Sequence, residues 1–238
     1  MNDPLRTRGS ERIVNAASVQ EVLGYRLECF VVGRLYAGAG QGQQGVMDLD
    51  NIDAVDAHYQ AHIGGEPQYM RFVDAPGTIG VLEWPKGSSR VPVHIYATLG
   101  LHALIHGALA REHGFELFTG VSSGTDAFRW AFAVMANDLV SDGIFVEHGH
   151  LVTAVDGRII DGLPFTAWLM LERTDDLIPS LPLEDGNHVV FLDATPVFAE
   201  EADYLRVHGL DGLFGLWEEE RPRLSDLSRT LPRALVRS

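Results

Sequence analysis

The chain has 238 residues, of which 46% are hydrophobic, and this is enough apolar material to form the core of one large domain or two small ones. Its 33 acidic and 18 basic side chains give a formal net charge of −15, which repels nucleic acid phosphates and anionic membrane surfaces. The only cysteine, Cys29, excludes an intrachain disulfide and a paired-cysteine metal site. We therefore expect a cytoplasmic protein that binds neither nucleic acid nor membrane.

Residues 1–45 are predicted to be an N-terminal extension ending in a linker. Ser18 and Glu21 have the spacing of a capping box and predict a helix from about Val19, although the β-branched and aromatic content of this stretch is also typical of a strand. The sequence AGAGQGQQG at 37–45 is rich in glycine and glutamine, as flexible linkers are. We place a domain boundary there.

A helix and three strands are predicted next. Residues 51–64 carry apolar side chains at helical spacing, with Asn51 as the expected N-cap and Gly64 as the stop. Short runs rich in β-branched and aromatic residues follow, separated by proline, glycine and serine, and these predict strands. The runs are YMRFVD at 69–74, IGVLEW at 79–84 and VPVHIYAT at 91–98.

A central helix is predicted to follow Asp126, its expected cap. Its apolar residues repeat on one face and Trp130 widens that stripe, so the helix should lie deep in the core. Strands are then predicted at 144–155, 163–172 and 188–193, and two closing helices at 199–209 and 210–217. For residues 217–223, WEEERPR, we expect a solvated, frayed end, with a docking strip as the alternative.

This order of elements lacks regular βαβ alternation. It predicts an α+β fold: a mixed, largely antiparallel sheet with a central buried helix and closing C-terminal helices.

The C-terminal half resembles the suppressor-of-fused family. The resemblance rests on the run HVVFLDATPVFAEEADYLRVHGLDGLF at 188–214, on Trp130, and on YATLGL before HGFELF, and it covers about residues 52–217. The expected domain is therefore 46–217, followed by a charged tail at 218–238. The family-signature positions, which we expect to be structural, are Trp130, Phe191, Leu192, Pro196, Glu200, Glu201, Tyr204, His208, Gly209 and Leu213.

The resemblance implies a protein-binding domain with no catalytic residues, no cofactor and no metal. Animal members of the family are known as repressors that hold a transcription factor, and bacterial stand-alone members resemble immunity proteins that neutralise polymorphic toxins. One feature departs from the family pattern: GVSSG stands where a charged residue usually follows the G-F-E-L strand. We also expect no counterpart of the second domain of the animal proteins. We expect an immunity protein with a basic protein partner; a regulatory adaptor that binds a non-toxin protein is an alternative.

An enzyme is the other alternative. GVSSG at 120–124 fits the G-x-S-x-G pattern of α/β-hydrolases with Ser122 as the nucleophile, and Asp193 and His208 follow in the order acid, then histidine. The same pentapeptide also fits a plain connecting loop, because glycine and serine favour turns.

Two histidine groups have spacings that suit a metal-dependent hydrolase. His102 and His106 stand at i and i+4 as possible zinc ligands, with His113 or Glu112 as a third. The sequence EHGH at 147–150 holds three further possible ligands. The glutamate of an H-E-x-x-H motif is missing, and we expect no metal.

Glu200, Glu201 and Asp203 form an acidic group that fits two roles. Carboxylates are common proton-transfer groups, so a pair of them could act in acid–base catalysis. In the first turns of a helix they also complement the positive end of the helix dipole, which is the role that we expect.

Overall fold

The computed structural model describes residues 12–14, 27–30, 49–72, 79–104, 113–154, 159–173, 177–184 and 186–236. Their main helices and strands, in chain order, are β1 (Arg12–Val14), β2 (Leu27–Phe30), α1 (Leu49–His62), β3 (Gln68–Phe72), β4 (Ile79–Trp84), β5 (His94–Leu99), β6 (His113–Val121), α2 (Asp126–Ser141), β7 (Leu151–Ala154), β8 (Phe165–Glu172), β9 (Leu181–Pro182), β10 (His188–Phe198) and α3 (Ala199–Glu220).

The strands form one sheet in the order β1–β3–β4–β5–β6–β10–β8–β7–β2, and β9 pairs with the start of β10. The pairs β1–β3 and β6–β10 are parallel, whereas the other pairs among the described strands are antiparallel. The 11-residue strand β10 pairs with β6 through His188–Asp193 and with β8 through Leu192–Phe198, so it joins the two halves of the sheet. The predicted mixed, largely antiparallel sheet is confirmed.

Helix α2 covers one face of the sheet. Its residues Phe128 and Phe132 are fully buried, and both rings meet the indole of Trp168 on β8 in edge-to-face contacts. The cap is Thr125, whose hydroxyl oxygen accepts from the Phe128 backbone N–H at 3.1 Å, so Asp126 is the first helical residue and not the predicted cap. The predicted central buried helix is confirmed.

Helices α1 and α3 cover the opposite face. Successive side chains of a strand point to opposite faces, and in β8 the residues that alternate with Trp168 pack against α3. Helix α1 packs through Val55 and Tyr59 against β4 and β5, and Ile63 joins the same cluster just after the helix ends. The helix begins at Leu49, so Asn51 lies within its first turn and is not the cap that we predicted.

The two predicted closing helices form α3, with a kink at Gly209. This residue has φ 74° and ψ 178°, a backbone conformation that glycine adopts without the steric penalty of a Cβ atom. The segments on either side keep their buried faces against the sheet through Leu205 and Leu213. Gly209 therefore separates α3 into two helical segments, which correspond to the two helices that the sequence predicted.

The helix predicted from about Val19 is wrong at residues 27–30, where the strand alternative holds and the residues form β2. This strand pairs with β7 in antiparallel register, and the cross-strand pairing outweighs the local helical pattern. Val19 and the predicted linker at 37–45 lie outside the described residues. Both β1 and β2 come from residues 1–45, and they lie in the same sheet as the rest.

The strand predicted at 144–155 is shorter than expected, because β7 begins only at Leu151. A turn precedes it, in which Gly149 has φ 85° and donates from its backbone N–H to the Met170 carbonyl oxygen at 2.7 Å. Met170 in turn donates to the His150 carbonyl oxygen at 2.9 Å. These two bonds attach the turn to β8 without continuing the strand.

The predicted frayed end is wrong in part. Glu218 and Glu219 are exposed, as expected, but they belong to α3, which ends at Glu220. Beyond the helix, Leu227, Arg229 and Leu235 are buried, so the C-terminal segment folds back onto the domain. Apolar side chains spaced along this charged segment supply the surface that is buried.

Candidate functional site

The GVSSG loop connects β6 to α2. The backbone N–H of Ser122 donates to the carbonyl oxygen of Ser225 at 2.7 Å, so the C-terminal segment holds the loop. The last residue of β6, Val121, pairs in register with His94 of β5. The histidine beside the loop in the sheet is therefore His94, which the sequence analysis did not single out.

Asp193 and His208, the candidate partners of Ser122 in the enzyme alternative, each have a contact of their own. Asp193 lies on β10 and accepts from Arg173 Nη1 at 3.1 Å. His208 is exposed on α3, where its ring centroid lies 4.1 Å from that of Tyr204. These contacts assign both residues to structural interactions on different elements.

A polar cluster links β4 and β5 to the start of α2. Glu83 Oε2 accepts from Arg129 Nη1 at 2.9 Å, and Glu83 Oε1 accepts from the Tyr96 hydroxyl at 3.3 Å. A Cβ atom on Gly124 would lie 2.5 Å from Tyr96 Oη and 2.6 Å from His94 Nδ1, so only glycine fits there. Burial and the Glu83 carboxylate raise the pKa of Tyr96. The cluster therefore fixes the start of α2 and keeps the tyrosine hydroxyl protonated.

His102, one of the candidate zinc ligands, is buried beside a buried carboxylate. Its Nδ1 atom lies 2.6 Å from Glu116 Oε1, which also accepts from the backbone N–H groups of Gly100 at 2.9 Å and of His102 at 3.1 Å. The Thr98 hydroxyl donates to the other carboxylate oxygen. Four donors thus surround Glu116, which is the arrangement of a satisfied buried carboxylate.

The other candidate zinc ligands are His106, Glu112 and His113. His106 and Glu112 lie outside the described residues. His113 contacts His188, the residue opposite it on β10, with ring centroids 5.2 Å apart. Within the parts of the chain that the structure describes, no three histidine, cysteine, aspartate or glutamate side chains are placed to hold a metal ion.

The EHGH sequence forms the turn before β7, and both of its histidines act as acceptors. His150 Nδ1 accepts from the Glu147 backbone N–H at 3.1 Å, and His148 Nδ1 accepts from the Glu172 backbone N–H at 2.9 Å. The ring nitrogens thus stabilise the turn and its contact with β8.

Glu201 is the centre of a buried network, and its acidic neighbours are exposed. Its carboxylate, which has no exposed surface, accepts from both terminal nitrogens of Arg229 at 2.7 and 2.8 Å. It also accepts from Trp217 Nε1 at 2.9 Å and from the Phe198 backbone N–H at 3.0 Å. The sequence predicted a helix-dipole role for this residue; the contacts add a link between α3 and the C-terminal segment.

The remaining family-signature positions fall into four settings. Trp130 and Tyr204 are half-buried, His208 and Glu200 are exposed, and Gly209 forms the kink of α3. The buried positions are Phe191, Leu192, Pro196 and Leu213.

The second segment of α3 presents an exposed acidic surface, which we call the outer face of α3. Its residues lie opposite the buried Leu213, Leu216 and Trp217. Within the described part of the chain, no basic side chain forms a salt bridge with any of its three acids. The outer face consists of Asp211, Gly215, Glu218 and Glu219.

Apolar side chains flank the outer face of α3. Phe214 is half-buried at its edge, and its ring centroid lies 6.5 Å from that of His148. Before the kink, Val207 is 76% exposed. The only basic residue of α3 besides histidine, Arg206, is paired with Asp203 one turn earlier. The helix therefore offers uncompensated negative charge next to apolar surface.

The comparisons with known proteins identify relatives. A family model described as Suppressor of fused protein (SUFU) matches residues 76–230, more than half of the chain. The crystal structure of a SUFU homologue from Neisseria gonorrhoeae is similar, with a TM-score of 0.57 and 17% identity over 77% of this chain and 97% of that chain. A Sufu–Fu complex structure matches with a TM-score of 0.54 and 11% identity over 77% of this chain and 90% of that chain.

A comparison with curated proteins gives no match. Among the described helices, none is both long enough and apolar enough to cross a membrane. At these low identities the two solved structures establish the fold, and it is the family model that establishes the family.

Proposed function

The chain belongs to the suppressor-of-fused family, and on that premise we propose that it is a non-catalytic protein-binding domain that neutralises a basic toxin by direct contact. Members of this family in eukaryotes are protein-binding regulators, and one of the similar structures is a complex of Sufu with Fu. The observation that carries the proposal is the outer face of α3, where exposed acids have no basic partner among the described residues.

The bonding of the polar clusters supports a non-catalytic role. A catalytic acid or base needs a free lone pair or proton within reach of a substrate. Glu116 and Glu201 are instead fully buried and already accept several hydrogen bonds each. Glu83 is 8% exposed, and its two carboxylate oxygens accept from Arg129 and Tyr96. These groups stabilise the fold.

The negative net charge of the chain supports the proposal that its partner protein is basic. The net charge of −15 creates a field that attracts positively charged proteins and raises the rate of encounter with them. Toxin domains that cleave nucleic acids are commonly basic, because they bind phosphates. An acidic cytoplasmic protein that covers such a domain would meet it rapidly and block its substrate surface.

The experiment is co-expression with the C-terminal domain of a toxin-like gene that neighbours the coding sequence. We expect the chain to restore growth and to co-purify with that domain. The matched control is Leu216→Asp, which places a charge in the core beneath α3 and should abolish folding and rescue. Soluble expression of the unchanged chain without rescue and without complex formation would contradict the proposal.

A further inference from the structure

We propose that the outer face of α3 is the docking surface and that its occupant is a basic helix on the surface of the partner protein. This inference rests on the proposed function and names the face and the chemistry that it would use. It draws on three independent features of the second segment of α3: a glycine in the helix interior, an apolar edge and unpaired acids.

The first feature is Gly215. It lies inside α3 and is exposed, and a Cβ atom there would meet nothing within 4 Å. Glycine in an exposed helix interior is less favourable than alanine. Neither steric crowding nor an unusual backbone conformation within the chain explains why residue 215 is glycine. The close approach of another backbone would explain it.

The second feature is the surface around the glycine. Asp211 and Glu219 stand one turn before and one turn after it, and Glu218 lies beside Glu219. Phe214 forms the edge and is held by contacts with His148 and Trp217. The face is thus shallowest at Gly215, where there is no side chain, and it has an aromatic side chain at its edge and charged side chains around the glycine. Protein interfaces have a similar arrangement, with an apolar core and a polar rim.

The third feature, the charge of the face, selects the occupant. The exposed charged groups of the outer face are all acidic, so a second copy of this chain, a nucleic acid or an anionic membrane would be repelled. A helix with lysine or arginine on its surface would place cations beside Asp211 and Glu218 while its backbone crosses at Gly215. Helix axes pack about 8–10 Å apart, and small side chains at the crossing favour the shorter distance.

The test uses a synthetic amphipathic helical peptide made of leucine and lysine, with binding measured by fluorescence anisotropy at low ionic strength. Asp211→Lys combined with Glu218→Lys should raise the Kd about tenfold, because attraction becomes repulsion at the site of contact. Glu66→Lys combined with Glu184→Lys changes the net charge equally at exposed positions outside α3 and should have a much smaller effect.

The variant Gly215→Leu distinguishes an effect on peptide binding from an effect on the stability of the fold. Leucine is a better helix former than glycine, so the variant should be at least as stable to heat as the unchanged chain while its affinity for the peptide falls. Equal effects of the two charge-reversal pairs, unchanged affinity in Gly215→Leu, absence of peptide binding, or self-association through α3 in sedimentation would each overturn the inference.

The toxin domain then distinguishes the two proposals. If the peptide maps to the outer face but no toxin domain is bound, the proposed function fails and the docking surface stands. If a toxin domain is bound with the same affinity by the Asp211→Lys, Glu218→Lys and Gly215→Leu variants, the docking surface fails and the function stands.

Discussion

Arg229 and Glu201 form a two-pronged buried ion pair, with Nη2 2.7 Å from Oε2 and Nη1 2.8 Å from Oε1. The pair joins the C-terminal segment to the start of α3, and Arg229 Nη2 also donates to the Pro196 carbonyl oxygen at 3.0 Å. The guanidinium lies over the Phe198 ring, 4.5 Å from its centroid. This arrangement holds the final residues of the domain against the sheet.

Arg229→Ala should therefore destabilise the protein by about 3–5 kcal/mol, because it leaves the Glu201 carboxylate buried without its charged partner. Urea unfolding followed by tryptophan fluorescence measures this difference. Arg206→Ala is the matched control: its partner Asp203 is exposed, and loss of an exposed pair costs about 0–1 kcal/mol. Equal losses in the two variants would contradict the structural role of Arg229.

Leu213→Ala should destabilise by about 2–5 kcal/mol, because the side chain is fully buried between α3 and the sheet and its removal leaves a cavity. Val207→Ala on the same helix should change the free energy of unfolding by less than about 0.5 kcal/mol, since that side chain is 76% exposed. The same urea titration compares the two. A small effect of Leu213→Ala would mean that the inner face of α3 is accessible.

Asp138 should make stability depend on pH. Burial, with a smaller contribution from Asp142, raises the pKa of Asp138 from 3.8 to about 6. The stabilisation from the protonated carboxyl is thus complete below pH 3.8 and is lost as the pH rises through about 6. Asp138→Asn should be more stable than the unchanged chain by ~1–3 kcal/mol near pH 8. The gain should vanish near pH 4; a gain that persists there would contradict this account.

Ser122 should not react with a fluorophosphonate probe, because its backbone is fixed by Ser225 and the candidate acid, Asp193, is engaged by Arg173. Intact-mass analysis after incubation detects any adduct. Stoichiometric labelling that disappears in Ser122→Ala would show a serine nucleophile and would favour the hydrolase alternative over the binding domain.

The features of the fold that produce a local periodic pattern were predicted from the sequence. The buried face of α2, the break at Gly209 and the strands β4 and β5 all follow from apolar spacing and turn residues. The sequence left residues 27–30 open between a helix and a strand, because the partner strand β7 lies more than a hundred residues away and the capping-box pattern beside β2 contains no information about that pairing.

The two polar networks were not predicted, because their paired residues also lie far apart in the sequence. Glu83 and Arg129 are 46 residues apart, and Glu201 and Arg229 are 28 apart, so no short motif marks either pair. A signal was nonetheless present: Glu83 is the one charged residue in the run IGVLEW, and a charge in a strand that is otherwise apolar calls for a partner. For the outer face of α3 the signal was Gly215 between acidic residues, in a segment that we expected to be merely amphipathic.

The central claim is that the chain binds a basic protein domain and that charge speeds the encounter. Stopped-flow mixing of the purified chain with the toxin-like domain, at low and at high salt, tests it most directly. We expect a binding signal whose association rate falls as salt rises, because exposed charges more than about 8–10 Å apart are largely screened near physiological ionic strength. Affinity should fall less, since the apolar part of the interface is insensitive to salt. No binding signal at any salt concentration would contradict the claim, and binding at a salt-independent rate would contradict its electrostatic part.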